Sequence, residues 1–152
     1  MDKNTTNRKP CDLKKMYTLD AIIEIASDGT YSVYCKHEIF TGAGETIAEA
    51  KEDMLTQMEF YKKTALEQGF KYPAFLDEPF EINYDVDSVS LMSYYVKKGF
   101  FSLAGMEKVT GINQKQLWAY LNGTKPRKTQ MKRIETGFLA LKNDLNTIFA
   151  NC

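Results

Sequence analysis

The chain has 152 residues, 43% of them hydrophobic and 12% aromatic, enough to bury one medium core or two small ones and too much for a disordered chain. Its 20 Lys/Arg balance 20 Asp/Glu, no apolar run approaches the roughly 20 residues of a helical membrane span, and the opening MDKNTTNRKP lacks the hydrophobic stretch of a secretory signal, so a soluble cytoplasmic protein is expected. The three cysteines, Cys11, Cys35 and Cys152, are odd in number and far apart, and they share no metal-ligand spacing with the single histidine, His37. They read as reduced thiols, and no cofactor or metal is expected.

Residues 1–15 are polar and lysine-rich, with Pro10 and no periodicity, and read as a flexible tail. From Tyr17 the pattern alternates strictly, with Tyr17, Leu19, Ala21, Ile23 and Ile25 on one face, which predicts a half-buried strand. Ser27-Asp28-Gly29 supplies hairpin turn chemistry, and Tyr31, Val33 and Cys35 continue the alternation in a second strand. A short third strand is predicted over residues 37–41, with Gly42-Ala43-Gly44 as the turn into a helix. Those glycines lack the Lys-Ser/Thr that a phosphate-binding loop needs. Thr46 and Glu49 form a capping box for a helix reaching Gln68, with Ile47, Ala50, Met54, Met58, Tyr61 and Ala65 as the stripe that crosses the sheet. Gly69 ends it, residues 70–79 connect, and Phe80, Ile82, Tyr84 and Val86 alternate as a closing strand. The order is βββαβ over residues 16–87.

The second half, residues 88–152, changes character. Residues 1–87 carry 10 Lys/Arg against 17 Asp/Glu, a net −7, whereas residues 88–152 carry 10 against 3, a net +7. A basic half suits a polyanion and an acidic half suits a basic protein. Val89, Met92 and Val96 mark the buried side of a first helix, ended by Gly99. Residues 102–123 then read SLAGMEKVTGINQKQLWAYLNG, two short helical patterns hinged at Thr110-Gly111-Ile112, with Asn113 capping the second. This spacing predicts a helix-turn-helix in which Met106, Ile112, Leu117 and Tyr120 share a small core. Asn113, Gln114, Lys115 and Trp118 are left outward, toward DNA. Lys125, Arg127 and Lys128 follow in a basic turn placed to hold phosphates. Residues 129–149 form one long helix whose stripe of Met131, Ile134, Phe138, Leu141, Leu145 and Ile148 either closes its own core or makes a dimer seam. A two-fold dimer is expected, because one helix-turn-helix reads too few base pairs.

Gly44, Glu45, Thr46, Glu49 and Ala50 match the G-D/E-T-x-x-E-A part of the T-x-G-D/E-T-x-x-E-A pattern of the HicB antitoxin family, with Thr41 one position upstream of the pattern's threonine, and the chain resembles that family over residues 16 to about 149. His37-Glu38-Ile39 stands where that family usually carries Pro-Gly. The resemblance implies an α+β chain, a partial RNase H-like βββαβ domain followed by an all-α helix-turn-helix domain. It implies an antitoxin that masks a HicA-type ribonuclease toxin and represses its own operon. The second half is similar to the lambda-repressor and Cro group at Thr110-Gly111-Ile112, Leu117, Leu121-Asn122-Gly123 and Lys125-Pro126. It departs at Glu107, where that group usually has alanine, and at Trp118, where serine is commoner.

Two other functions compete with this reading. A stand-alone helix-turn-helix regulator would use the first domain only to dimerise or to sense a ligand. A metal-dependent nuclease would need carboxylates converging on metal ions, whereas those of this chain scatter over turn, strand and helix surfaces, and Asp28 is explained by its turn. Cys35 and His37 would share a strand face with no third group to orient the histidine. No active site is expected.

Overall fold

The structure is a computed structural model that describes residues 16–150. The expected flexible tail, Cys11 and Cys152 lie outside the described residues. The chain is mixed α+β. Strands β1 (Tyr17–Ile25), β2 (Tyr31–Cys35) and β3 (Thr41–Gly44) precede helix α1 (Ile47–Gln68), a single 3-10 turn (Ala74–Asp77) and strand β4 (Phe80–Val86). Helices α2 (Ser88–Lys97), α3 (Leu103–Thr110), α4 (Gln114–Leu121) and α5 (Lys128–Ala150) complete it.

The four strands form one sheet in the order β3-β2-β1-β4, antiparallel except that β4 runs parallel to β1. The parallel pair requires a crossover, and α1 supplies it. Asp28 builds the β1–β2 turn. Its Oδ1 accepts the Thr30 N–H at 2.9 Å and the Thr30 hydroxyl at 2.7 Å, and these bonds hold its carboxyl below the usual range. Alternation sends Leu19, Ala21, Ile23, Val33 and Cys35 to one face, where Ala50, Met54 and Met58 of α1 cover them. The capping box at Thr46 and Glu49 is formed in full, and Gly69 ends the helix at φ 75°. Ile47, the first residue of the expected stripe, is exposed, because it precedes the turn at which α1 reaches the sheet.

The third strand lies later than the sequence indicates. β2 stops at Cys35, residues 36–39 form a bend, and the glycines Gly42 and Gly44 are strand residues rather than a turn. The reason is steric. A Cβ at Gly42 would stand 2.2 Å from the Ala50 carbonyl oxygen and 2.4 Å from the Met54 nitrogen, so α1 packs on β3 only where side chains are absent. The same bend separates Cys35, buried beside Met54, from His37, which is exposed. They do not share a strand face.

A second core gathers Met92, Met106, Ile112, Leu117, Tyr120 and Ile134 from α2 to α5. Asp87 joins the two. Its N–H donates to the Ile23 carbonyl at 2.8 Å, extending the β4 ladder, while its carboxylate accepts the Val89 N–H at 3.1 Å and caps α2. The Ser90 hydroxyl donates to the Asp87 carbonyl at 3.0 Å and accepts the Ile25 N–H at 3.1 Å.

Gly42→Ala is therefore expected to destabilise the sheet domain by about 1–3 kcal/mol or more through overpacking. Gly69→Ala meets only the positive φ, with open space around it, and should cost about 1 kcal/mol. Urea unfolding of the two variants, in which Gly42→Ala loses clearly more, checks this.

Candidate nucleic-acid interface

The junction between α3 and α4 is built by three residues. Thr110 is buried, yet its hydroxyl is fully engaged, donating to the Met106 carbonyl at 2.7 Å and accepting the Ile112 N–H at 3.1 Å. Gly111 takes φ 71° and ends α3 with its N–H on the Glu107 carbonyl, and Ile112 turns into the core at 2% exposure. Asn113 then starts α4, its Oδ1 accepting the Gln116 N–H at 2.9 Å. Glu107 adds a second cap, since its Oε2 accepts the Gln114 N–H at 3.2 Å. A carboxylate thus stands where an alanine would leave the α4 amides open, and it ties one helix to the next.

This geometry sorts the expected site residues. Asn113, Gln114 and Lys115 are exposed at the N-terminal end of α4, and Trp118, one turn on, is 59% exposed. α4 ends on Asn122, whose side-chain amide donates to the Trp118 carbonyl at 2.7 Å, and Gly123 follows at φ 97°. Lys125, Arg127 and Lys128 are exposed in the turn that leads into α5. The two groups therefore occupy opposite ends of α4.

The charges at the start of α5 run against its own electrostatics. Lys128 is its first residue, Lys132 and Arg133 follow, and no acidic residue lies in its first turn. A helix N-terminus carries positive partial charge, so cations there reduce helix stability unless an external anion meets them. Among the described residues the ion pairs are Lys36–Asp85, Lys62–Asp77 and Lys132–Glu135, so Lys115, Lys125, Arg127 and Lys128 are left without an acidic partner.

A cleft of about 690 Å³ separates the basic turn from the uncovered face of the sheet. Glu24, Tyr34 and Asp85 line one wall; Lys125, Pro126 and Lys128 line the other. Burial, and after it the Glu24 carboxylate that accepts the Tyr34 hydroxyl at 3.1 Å, push Tyr34 up to about 12, so it stays a neutral donor at ordinary pH. Lys36 is held charged by its hydrogen bond to Asp85 at 2.9 Å. Among the described residues no group of three or more His, Cys, Asp or Glu is placed to hold a metal ion, and no helix is long and apolar enough to cross a membrane.

α5 docks on α3 through Gly137, where a Cβ would meet the Val109 Cγ1 at 2.8 Å, and Ile134 closes the helical core. Beyond Leu141 the helix leaves that core, and Leu145, Ile148 and Phe149 are exposed. The long stripe seen in the sequence is thus divided: Ile134 and Phe138 pack internally, Met131 and Leu141 are half-buried, and Leu145 and Ile148 are exposed. Two further features carry no sequence signal that periodicity could find. One is the Glu107 cap. The other is an apolar surface on the first domain at Ile39, Phe60 and Phe70, outside the stripe of α1. No protein family, curated protein or solved structure matches the chain.

Asn113→Ala should lower stability by about 1 kcal/mol through loss of the cap. Asn113→Asp keeps the acceptor and should stay within about 0.5 kcal/mol of the parent. Urea midpoints for both variants separate the capping role from any role in binding.

Proposed function

We propose that the chain is a HicB-like antitoxin and autorepressor, in which the helical domain binds operator DNA and the sheet domain holds a basic HicA-type ribonuclease. The observation that carries the DNA half is the basic turn. Lys125, Arg127 and Lys128 lie exposed, without a carboxylate partner among the described residues, at a helix start that disfavours cations, directly after a helix whose N-terminal residues Asn113, Gln114 and Lys115 are exposed. In this reading the turn holds phosphates, and Asn113, Gln114, Lys115 and Trp118 enter the major groove. There a bidentate contact from the Gln114 amide or from Lys115 discriminates bases by about 1–3 kcal/mol, whereas Asn113, whose Oδ1 caps α4, offers only its side-chain NH2.

The sheet domain supports the second half of the reading. Its order β3-β2-β1-β4, with β4 parallel to β1 after a crossover helix, is compatible with a partial RNase H-like domain. Within residues 16–87 fifteen Asp/Glu stand against five Lys/Arg, a net −10. Such a surface repels nucleic acid and steers a basic protein toward it. The proposal gives the chain no catalytic step of its own. A stand-alone regulator would share the DNA interface and lack the protein partner; a nuclease would cleave nucleic acid in a manner that EDTA abolishes. The working unit in this proposal is a two-fold dimer, and the uncovered end of α5, with Leu145 and Phe149, supports a seam there.

Replacing Lys125, Arg127 and Lys128 together by alanine is expected to weaken binding to every duplex. It should also flatten the slope of log affinity against log salt by about 2 to 3, near 0.9 for each phosphate that is no longer neutralised. Unchanged affinity and slope in a fluorescence anisotropy titration across salt concentrations would remove the DNA reading. Sedimentation of the full chain against Leu141→Lys/Leu145→Lys tests the seam: the parent should run as a dimer and the variant as a monomer with weakened operator binding. A variant that remains dimeric transfers dimerisation to the sheet domain.

A further inference from the structure

The sheet domain carries an apolar surface that the described residues leave open. Ile39, Phe60 and Phe70 are 70%, 65% and 40% exposed, and together with Phe40, Tyr61 and Thr64 they frame a dent of about 250 Å³. Its floor is packed into the core, with Phe40 3% exposed and meeting Tyr61 edge-on at 5.5 Å, while Tyr61 meets Phe70 edge-on at 5.6 Å. No charged side chain lines it. Ile39 is the telling residue. It occupies a four-residue bend where a polar residue would serve the fold equally well, and its side chain stays in solvent.

The surroundings specify what fits. Asp53 and Glu67 lie seven residues before and after Phe60, on the same face of α1, and Glu38 adjoins Ile39. Lys63, three residues after Phe60, and Lys71, next to Phe70, are exposed nearby as well, so the dent is an uncharged spot with charges of both signs at its margin, within a domain of net charge −10. An apolar side chain can be desolvated there without burying an ion, while the long-range field attracts a basic body.

Strand addition is disfavoured at the same edge. The Cys35 N–H bonds to the Phe40 carbonyl, which sets the phase of the β2–β3 ladder and points the Ala43 N–H away from β2. The Asp53 carboxylate accepts that N–H at 2.9 Å, so the outer side of β3 is already occupied at its centre.

Resting on the antitoxin reading above, we propose that this dent is the docking point for a small basic protein, which inserts one large apolar side chain between Ile39, Phe60 and Phe70 rather than adding a strand to β3. β3 is the sheet edge farthest from β4, and β4 leads directly into the helical domain. A partner seated at the dent therefore leaves α4 and the basic turn free, and protein and DNA bind the same chain together.

The test uses the full-length chain and the purified product of the small basic open reading frame adjacent to its gene, with binding followed by calorimetry. Ile39→Ser and Phe60→Ser should each weaken binding roughly 30-fold or more, the size of an anchor residue at an interface. Both should keep the parent's thermal midpoint and its affinity for duplex DNA. Leu66→Ser, at an exposed leucine on another face of α1, should bind as the parent does. Parent-like binding by Ile39→Ser and Phe60→Ser, or an equal loss in Leu66→Ser, overturns the docking site and leaves the antitoxin reading standing. Absence of such a reading frame, or a basic neighbour that fails to bind the unaltered chain, overturns both.

Discussion

The arrangement of the whole chain depends on Asp87. One residue ends the sheet and begins the helical half, with its N–H on the Ile23 carbonyl, its carboxylate on the Val89 N–H, and its carbonyl accepting from Ser90 and Leu91. Ser90 returns the connection by accepting the Ile25 N–H. The ladder that orders the sheet and the cap that starts α2 thus share atoms, so the two cores are joined without a flexible linker between them. Every later position, including the outward end of α4 and the turn before α5, is referred back to this joint.

The opposed charges of the two halves acquire a spatial meaning through it. The acidic residues Glu24 and Asp85 stand across one cleft from Lys125 and Lys128, and Tyr34 holds Glu24 in place by a hydrogen bond. Fields of opposite sign therefore meet within the molecule, at a distance set by packing and not by a tether. A neutral total charge is in this chain the sum of two strongly charged surfaces, and the boundary between them is the Asp87 joint.

Much of this is legible in the sequence because the signals are local. Period-two alternation marks β1, β2 and β4, Thr46 with Glu49 marks the start of α1, and Thr110-Gly111-Ile112 marks the junction of α3 with α4. What escapes is decided by contacts between distant residues. Gly42 and Gly44 look like a turn until Ala50 and Met54 are brought against them, and only then does the absence of a Cβ read as close packing of helix on strand. Glu107 breaks a pattern in isolation and makes sense once Gln114 lies within reach. The α5 stripe continues past the core it serves because periodicity reports which face is apolar and not what covers it.

The parallel pairing of β4 with β1 sets an order of events during synthesis. Thr18 and Glu81, hydrogen-bonded neighbours across that pair, are 63 positions apart, whereas α3, α4 and the start of α5 find their partners within a short span of chain. Loop closure over such a separation is slow, so the helical half has the faster route to its fold although it emerges later from the ribosome. Until residue 86 is available, β1 offers an unpaired edge rich in isoleucine, the kind of edge along which unfinished chains associate. The pairing of β4 closes that edge, and the same pairing sets Asp87 where its N–H meets the Ile23 carbonyl and its carboxylate caps α2.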